Sequence, residues 1–341
     1  GVPRAFQSSL TARYDYARKH GWKGLKRLTE ARIKKSYHAW LGKFFRWLIK
    51  EGYHLGPEPT FSYMSAENLV SLARDSFEQN EVLKIFRMPL FTGCLSRTRI
   101  WQPGDYFIQN NLYWAYILAL LTGMRPGEIG QLCVSDLERR GQHVLINLQL
   151  FDPAQGRVAR KDVRQLKTEN AVRKIPLHPL IVDLGLLERA DGLKALGCDA
   201  LFPEWEPYIK PSGEVRWGQP MSKSWQYLKK QLKLTRANIS LYSARHWMAD
   251  QLDDLVISER TRHRVLGHSP HNDIPGGYGA KGRYSSRDLE EFVGIGAEVL
   301  DELSAILLQT KSRADKGELK VLQPWLQRTQ WSSYHRGSLK G

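Results

Sequence analysis

The chain has 341 residues, 51 Lys+Arg against 35 Asp+Glu, a formal net charge of +16 and 42% hydrophobic residues. That composition excludes a disordered tail and a disulfide mini-protein, and the length allows two domains, each able to bury its own core. Cys94, Cys133 and Cys198 form no C-x-x-C pair, so neither a disulfide framework nor a zinc cage is expected, and a reducing, cytoplasmic setting is. The longest apolar run, Leu112 to Met124, is too short for a membrane span, and the first residues lack the apolar segment of a signal peptide. Gly1 stands where an initiator Met would, so the natural start is expected upstream.

The charge is concentrated at one end. Residues 1–53 carry a net +10, residues 54–110 a net −1, and the remainder +7. Such a distribution points to a polyanionic partner, with nucleic acid ahead of a membrane surface or a merely solvated face. In the segment Thr29 to Glu51, Ile33, Tyr37, Trp40, Phe44, Trp47 and Leu48 recur at helical spacing. This apolar stripe is expected to be the core of a small helical domain. Arg32, Lys35, Lys43, Arg46 and Lys50 fall on the opposite side and would meet phosphates, giving strongly salt-dependent affinity.

Gly52 ends that helix, and His54 to Ser62 has the Gly and Pro content of a linker. Ser65 to Phe86 reads as a second helix. Met88 to Gly104 breaks the periodicity, and Tyr106 to Leu121 is expected to be a buried helix. His143 to Phe151 alternates as a strand does, and Val163 to Leu177 reads as a strand pair turning near Glu169-Asn170. Helices resume from about Ser222. The fold class is therefore mostly α with a small antiparallel β-sheet, behind a basic helical module.

Two clusters carry chemistry. In LLTGMRPGEIGQL (Leu120 to Leu132) a buried helix meets a Gly-containing turn and presents Arg125, with Glu128 three residues on. A guanidinium fixed there can grip a phosphate with two parallel hydrogen bonds, although an Arg–Glu pair across one turn could also be purely structural. Ser240 to Leu252, SLYSARHWMADQL, places Arg245 and His246 in an apolar helix, where an unpaired charge is costly unless a site uses it. Then VLGHS closes a helix at Gly267 and His268, and Tyr278 follows inside PGGYGAKG.

Taken together, TGMRPGEI, LKTENAVRKIPLHP, YSARHWMADQL, VLGHSP and GGYG resemble the tyrosine recombinase and phage integrase family, in its order and near its spacing, over about Leu28 to Tyr284. The resemblance implies a type IB topoisomerase-like reaction on double-stranded DNA, in which a tyrosine hydroxyl attacks a phosphodiester, leaving a 3′-phosphotyrosine and a free 5′-hydroxyl. By that resemblance Arg125 and Arg245 match the two phosphate-gripping arginines, His268 the His/Trp donor, Tyr278 the nucleophile and Lys167 the lysine that protonates the leaving oxygen. Lys161 and Lys174 compete with Lys167 for that role, and Tyr284 is the rival nucleophile. Such an enzyme needs neither metal, cofactor nor ATP.

One position departs from the family. Where a His usually stands three residues before the second arginine, this chain has Tyr242, and a phenol is a poor base near neutral pH. His246 could move into that role, but a satisfied packing histidine is the favoured reading. Gly277 to Gly282 matches G-x-G-x-x-G but opens no βαβ unit, so it suits a mobile segment around the tyrosine better than a dinucleotide site. His263, His268, His271 and Asp273 lack the spacing of a metal cluster.

The expectation is a site-specific recombinase of a mobile element, with a core-binding domain over 1–85, a catalytic domain over 86–310 and a basic tail over 311–341. The resemblance implies four protomers on two duplexes, and no membrane. A DNA-binding protein that has lost catalysis, and a topoisomerase or hairpin-end resolving enzyme, remain open beside it.

Overall fold

In the computed structural model, residues 10–21, 33–60, 75–150, 164, 166, 171–267 and 284–323 are described. The chain forms two compact units, 1–72 and 73–341.

The first unit contains α1 (Leu10–His20), a π-helical segment Ile33–His38, and α2 (Ala39–Lys50). Helix α2 buries only Gly42. Its aromatic stripe is outside rather than inside, with Trp40 71% exposed, Phe44 50% and Trp47 49%. The rings pack on near neighbours instead: Phe44 stacks on Trp47 with centroids 6.1 Å apart, and Trp47 meets Tyr53, just past the helix, at a tilt with centroids 5.8 Å apart. The expected small core is therefore not built from this stripe among the described residues.

The second unit begins with α3 (Gln79–Phe86) and the short α4 (Pro89–Thr92), which pack against the long helix α13 (Ala297–Asp315). Only the end of the expected Ser65 to Phe86 helix is helical among the described residues. Glu78 stops it, because its extended backbone caps α3 and its N–H donates to the Glu81 carboxylate. The expected boundaries near residues 85 and 310 fall inside α3 and α13. Val82, Ile85 and Phe86 are buried in the core of this unit, and Arg236 pairs with Asp75, Glu78 and Glu81.

Tyr106 to Ile108, expected to open a helix, is strand β1. It pairs in parallel with β7 (Lys320–Leu322), in the stretch expected to be a tail. The helix α5 (Asn111–Thr122) starts where Asn110 accepts hydrogen bonds from Leu112 and Tyr113 N–H, a side-chain cap that replaces missing intrahelical partners. Every residue from Tyr113 to Thr122 is buried, as its apolar run requires. It ends at Gly123 (φ +61°), a left-handed C-cap that glycine adopts without strain. Then α6 (Pro126–Ile129) leads to the three-stranded antiparallel sheet β2 (Leu137–Arg140), β3 (His143–Leu148) and β4 (Arg173–Pro176), with β3 in the centre. The small antiparallel sheet is thus present, but its first strand, β2, was not expected.

Helices α7 (Pro179–Asp183) and α8 (Leu186–Ala195), a hairpin of β5 (Tyr208–Ile209) and β6 (Val215–Arg216), and α9 (Gln219–Gln231) follow. Helix α10 (Ser243–Asp253) packs on α5, and α11 (Glu259–Leu266) packs on β4 and α10. Ser258 caps the start of α11, and Gly267 (φ +65°) ends it. Helix α12 (Ser286–Phe292) opens with a reciprocal Ser285–Asp288 capping box. The result is a helical body around α5 with the sheet on its flank. No helix among the described residues is long and apolar enough to cross a membrane.

Candidate active site

The site forms where three segments distant in sequence meet: the turn from α5 to α6, strand β4, and the facing ends of α10 and α11. Arg125 is the residue before α6. Pro126 fixes the first helical φ and biases the preceding backbone to an extended form, and Arg125 has it (φ −76°, ψ 146°). Glu128, one turn on, reaches back: its Oε2 accepts from the Arg125 N–H at 2.9 Å and its Oε1 from Arg125 Nη1 at 2.7 Å. The same Oε2 accepts from Arg173 Nη2 at 2.9 Å. The side chains of Glu128 and Arg173 are each 4% exposed, whereas that of Arg125 is 19% exposed, so Arg125 is the cation of this trio that opens outward.

Arg245 lies on the buried face of α10. Its Nη1 donates to the Gly123 carbonyl at 2.7 Å, and its Nη2 to the Leu266 carbonyl. Both acceptors are at helix C-termini, whose unsatisfied carbonyls favour a cation. Burial pulls the Arg245 guanidinium down to about 10, and the nearby charges of Arg125 and Arg173 add to the effect. It is still charged at neutral pH. Burial works against the Glu128 carboxylate, but the charge of Arg173 and hydrogen bonds from Arg173 and Arg125 outweigh it and hold the carboxyl below its ordinary value. Three guanidiniums around one carboxylate leave a fixed positive excess, which can stabilise a phosphate on which charge develops.

Tyr242 precedes Arg245 by about one turn. Its half-buried ring meets His246 edge to face, with centroids 5.2 Å apart. Lys174 is held at 2.5 Å by Glu138 across the sheet. Tyr284 is buried, its hydroxyl donates to the Lys174 carbonyl, and burial pushes its pKa upward. Lys161, Lys167, His268 and Tyr278 lie outside the described residues, as do His271 and Asp273. Of the candidate phosphate-binding residues, Lys43, Arg46 and Lys50 are exposed on α2, with Arg46 paired to Glu58 at 2.6 Å. Lys35 is on the π-helical segment, and its side chain is not among those described. Among the described residues, no group of three or more His, Cys, Asp or Glu is placed to hold a metal.

Arg173 is the site residue that sequence reasoning missed. Its signal was the strand alternation itself, since Arg173 and Ile175 point into the core while Lys174 between them does not. A charge at an inward strand position calls for a buried partner.

No protein-family model matches the chain, and no curated protein does. Solved structures do. A Tn1549 transposon integrase in complex with a circular intermediate DNA is 15% identical with a TM-score of 0.46, covering 77% of this chain and 79% of that one. The XerH site-specific recombinase bound to difH substrate is 15% identical with a TM-score of 0.45, covering 87% and 70%. The integrase of mycobacterium phage Brujita is 14% identical with a TM-score of 0.32, covering 98% and 85%. The chain is similar to integrases and site-specific recombinases.

Proposed function

We propose that the chain is a site-specific tyrosine recombinase that cleaves and rejoins duplex DNA during integration or excision of a mobile element. The observation that carries this reading is the meeting of Arg125 and Arg245, 120 residues apart in sequence, with Arg173 around the buried carboxylate of Glu128. That is a preorganised, electropositive seat for a phosphodiester.

In this reading Arg125 and Arg245 hold the non-bridging oxygens, with His268 as a further donor. The Tyr278 hydroxyl gives its proton to water as its oxygen attacks phosphorus, the bond from phosphorus to the 5′-oxygen breaks, and Lys167 gives that leaving oxygen a proton. Attack by a 5′-hydroxyl on the 3′-phosphotyrosine reverses the sequence, releases the tyrosine and seals a strand without ATP. A tyrosine of pKa about 10 needs the surrounding cations to become a nucleophile at neutral pH. Tyr284 is poorly suited to the part, since its hydroxyl is buried and already donated to the Lys174 carbonyl. Lys174 is likewise engaged by Glu138. The basic N-terminal module, through Lys35, Lys43, Arg46 and Lys50, would grip the duplex backbone, and four protomers would join two duplexes.

The test is a nicked duplex, drawn from the DNA flanking the gene, that traps the covalent intermediate. Wild type and Tyr284→Phe should both form the adduct on a denaturing gel, and Tyr278→Phe should form none. Tyr284→Phe should also lose about 1 kcal/mol of stability with its hydrogen bond. An adduct in Tyr278→Phe sinks the nucleophile assignment. Specific binding without any wild-type adduct favours the second reading, a DNA-binding protein without catalysis, to which Tyr242 in place of the usual histidine lends weight.

A further inference from the structure

We propose that Arg173 is a positioning residue for strand cleavage, whose task is to neutralise Glu128 so that the charge of Arg125 is left for the DNA phosphate. The proposal rests on the cleavage reading above. Arg173 is buried, and its guanidinium donates to protein acceptors. It ties three segments together: Nη2 to Glu128 Oε2, Nε to the Val265 carbonyl and Nη1 to the Ala171 carbonyl, each at 2.9 Å.

The charge arithmetic gives that geometry a purpose. Arg125 and Glu128 alone would be a closed, neutral pair, and a guanidinium whose charge is spent on its own carboxylate stabilises an incoming phosphate weakly. Arg173 brings a second cation to the same carboxylate. Glu128 can then hold Arg125 through its backbone N–H and Nη1 while the trio keeps a net positive charge. The second contact acts on the other side of the site. Arg173 and Arg245 engage the consecutive carbonyls of Val265 and Leu266 at the end of α11, so the two arginines fix the last helical turn before Gly267.

A merely structural ion pair and a charge-balancing one predict different mutant kinetics. Single-turnover adduct formation on the nicked duplex would be measured for Arg173→Gln, Arg125→Ala, Arg125→Ala/Arg173→Gln and Glu128→Gln/Arg173→Gln, with thermal unfolding of each. Arg173→Gln should slow cleavage about 100-fold, the scale of a misplaced catalytic group. Combined with Arg125→Ala it should add less than about threefold, because the two act through one charge. Replacing the carboxylate as well should recover about tenfold over Arg173→Gln, since the neutral amide of Glu128→Gln no longer consumes the charge of Arg125. Should Arg173→Gln not fold, Arg173→Lys keeps the cation and should retain most of the rate, while Glu128→Gln/Arg173→Lys should gain nothing further. Multiplicative losses, or no rescue by the second substitution, overturn the proposal while leaving the cleavage reading intact. Absence of any wild-type adduct overturns the cleavage reading itself.

Discussion

Glu128 shows how one carboxylate can organise a cationic site, and its titration gives a sharp expectation. Its pKa is lower in the folded chain than in the unfolded one, so its contribution to stability is present above the unfolded value of about 4.3 and is lost as pH falls through the folded value. Glu128→Gln should cost about 3–5 kcal/mol at neutral pH, because it leaves Arg173 buried without its counter-charge. The gap between wild type and variant, measured by chemical unfolding from pH 7 to pH 3, should narrow as pH falls below the unfolded value of about 4.3. A gap constant across that range contradicts the assignment. Much of this site was legible residue by residue. Arg125 and Glu128 stood out at the junction of a buried helix with a Gly-containing turn, and Arg245 as a charge in an apolar helix. Arg173 did not, because its motif drew attention to the neighbouring lysines.

At the scale of elements, the turn after α5 is where packing and chemistry meet. Gly123 combines a left-handed backbone with tight surroundings: a Cβ built there would lie 3.1 Å from both Leu266 Cδ2 and Met248 Cγ. Gly123→Ala should therefore cost about 1–3 kcal/mol in thermal unfolding. It should also slow cleavage more than it weakens DNA binding, since the Gly123 carbonyl holds Arg245. A destabilised variant with an unchanged cleavage rate would separate the turn from the site. Helix α5 and strand β3 were readable because their apolar patterns are strong and local. Strand β1 was not: Tyr106 to Ile108 lies just before the apolar run of α5, and what makes it a strand is a partner more than two hundred residues away. Pairing of that range leaves no mark in a local pattern.

For the molecule as a whole, the net charge translates into a salt dependence. DNA affinity should fall steeply with ionic strength, and replacing Lys43, Arg46 and Lys50 with Gln should reduce the slope of log Kd against log salt by about one per lost phosphate contact. Arg46 should contribute less than Lys43, because Glu58 already neutralises it. Fluorescence anisotropy across a salt series measures this directly, and an unchanged slope would remove α2 from the DNA-binding surface. The skew of charge lies along the division into two compact units, since the basic residues 1–53 all belong to the first. The exposure of Trp40, Phe44 and Trp47 was not visible in the sequence, because periodicity reveals that a helix has an apolar face and says nothing of what covers it.

The parallel pairing of β1 with β7 also sets an order of events in synthesis. A nascent chain that has passed Leu266 already contains Arg125, Glu128, Arg173 and Arg245, yet β1 gains this neighbour only once Lys320 to Leu322 have been made. Closure of the second unit is therefore a late, non-local step, and such contacts form slowly because loop closure must precede them. The protein would acquire its cationic centre before its fold is sealed, and shortening the chain at Asp315 should leave an open β1 edge prone to association with other strands.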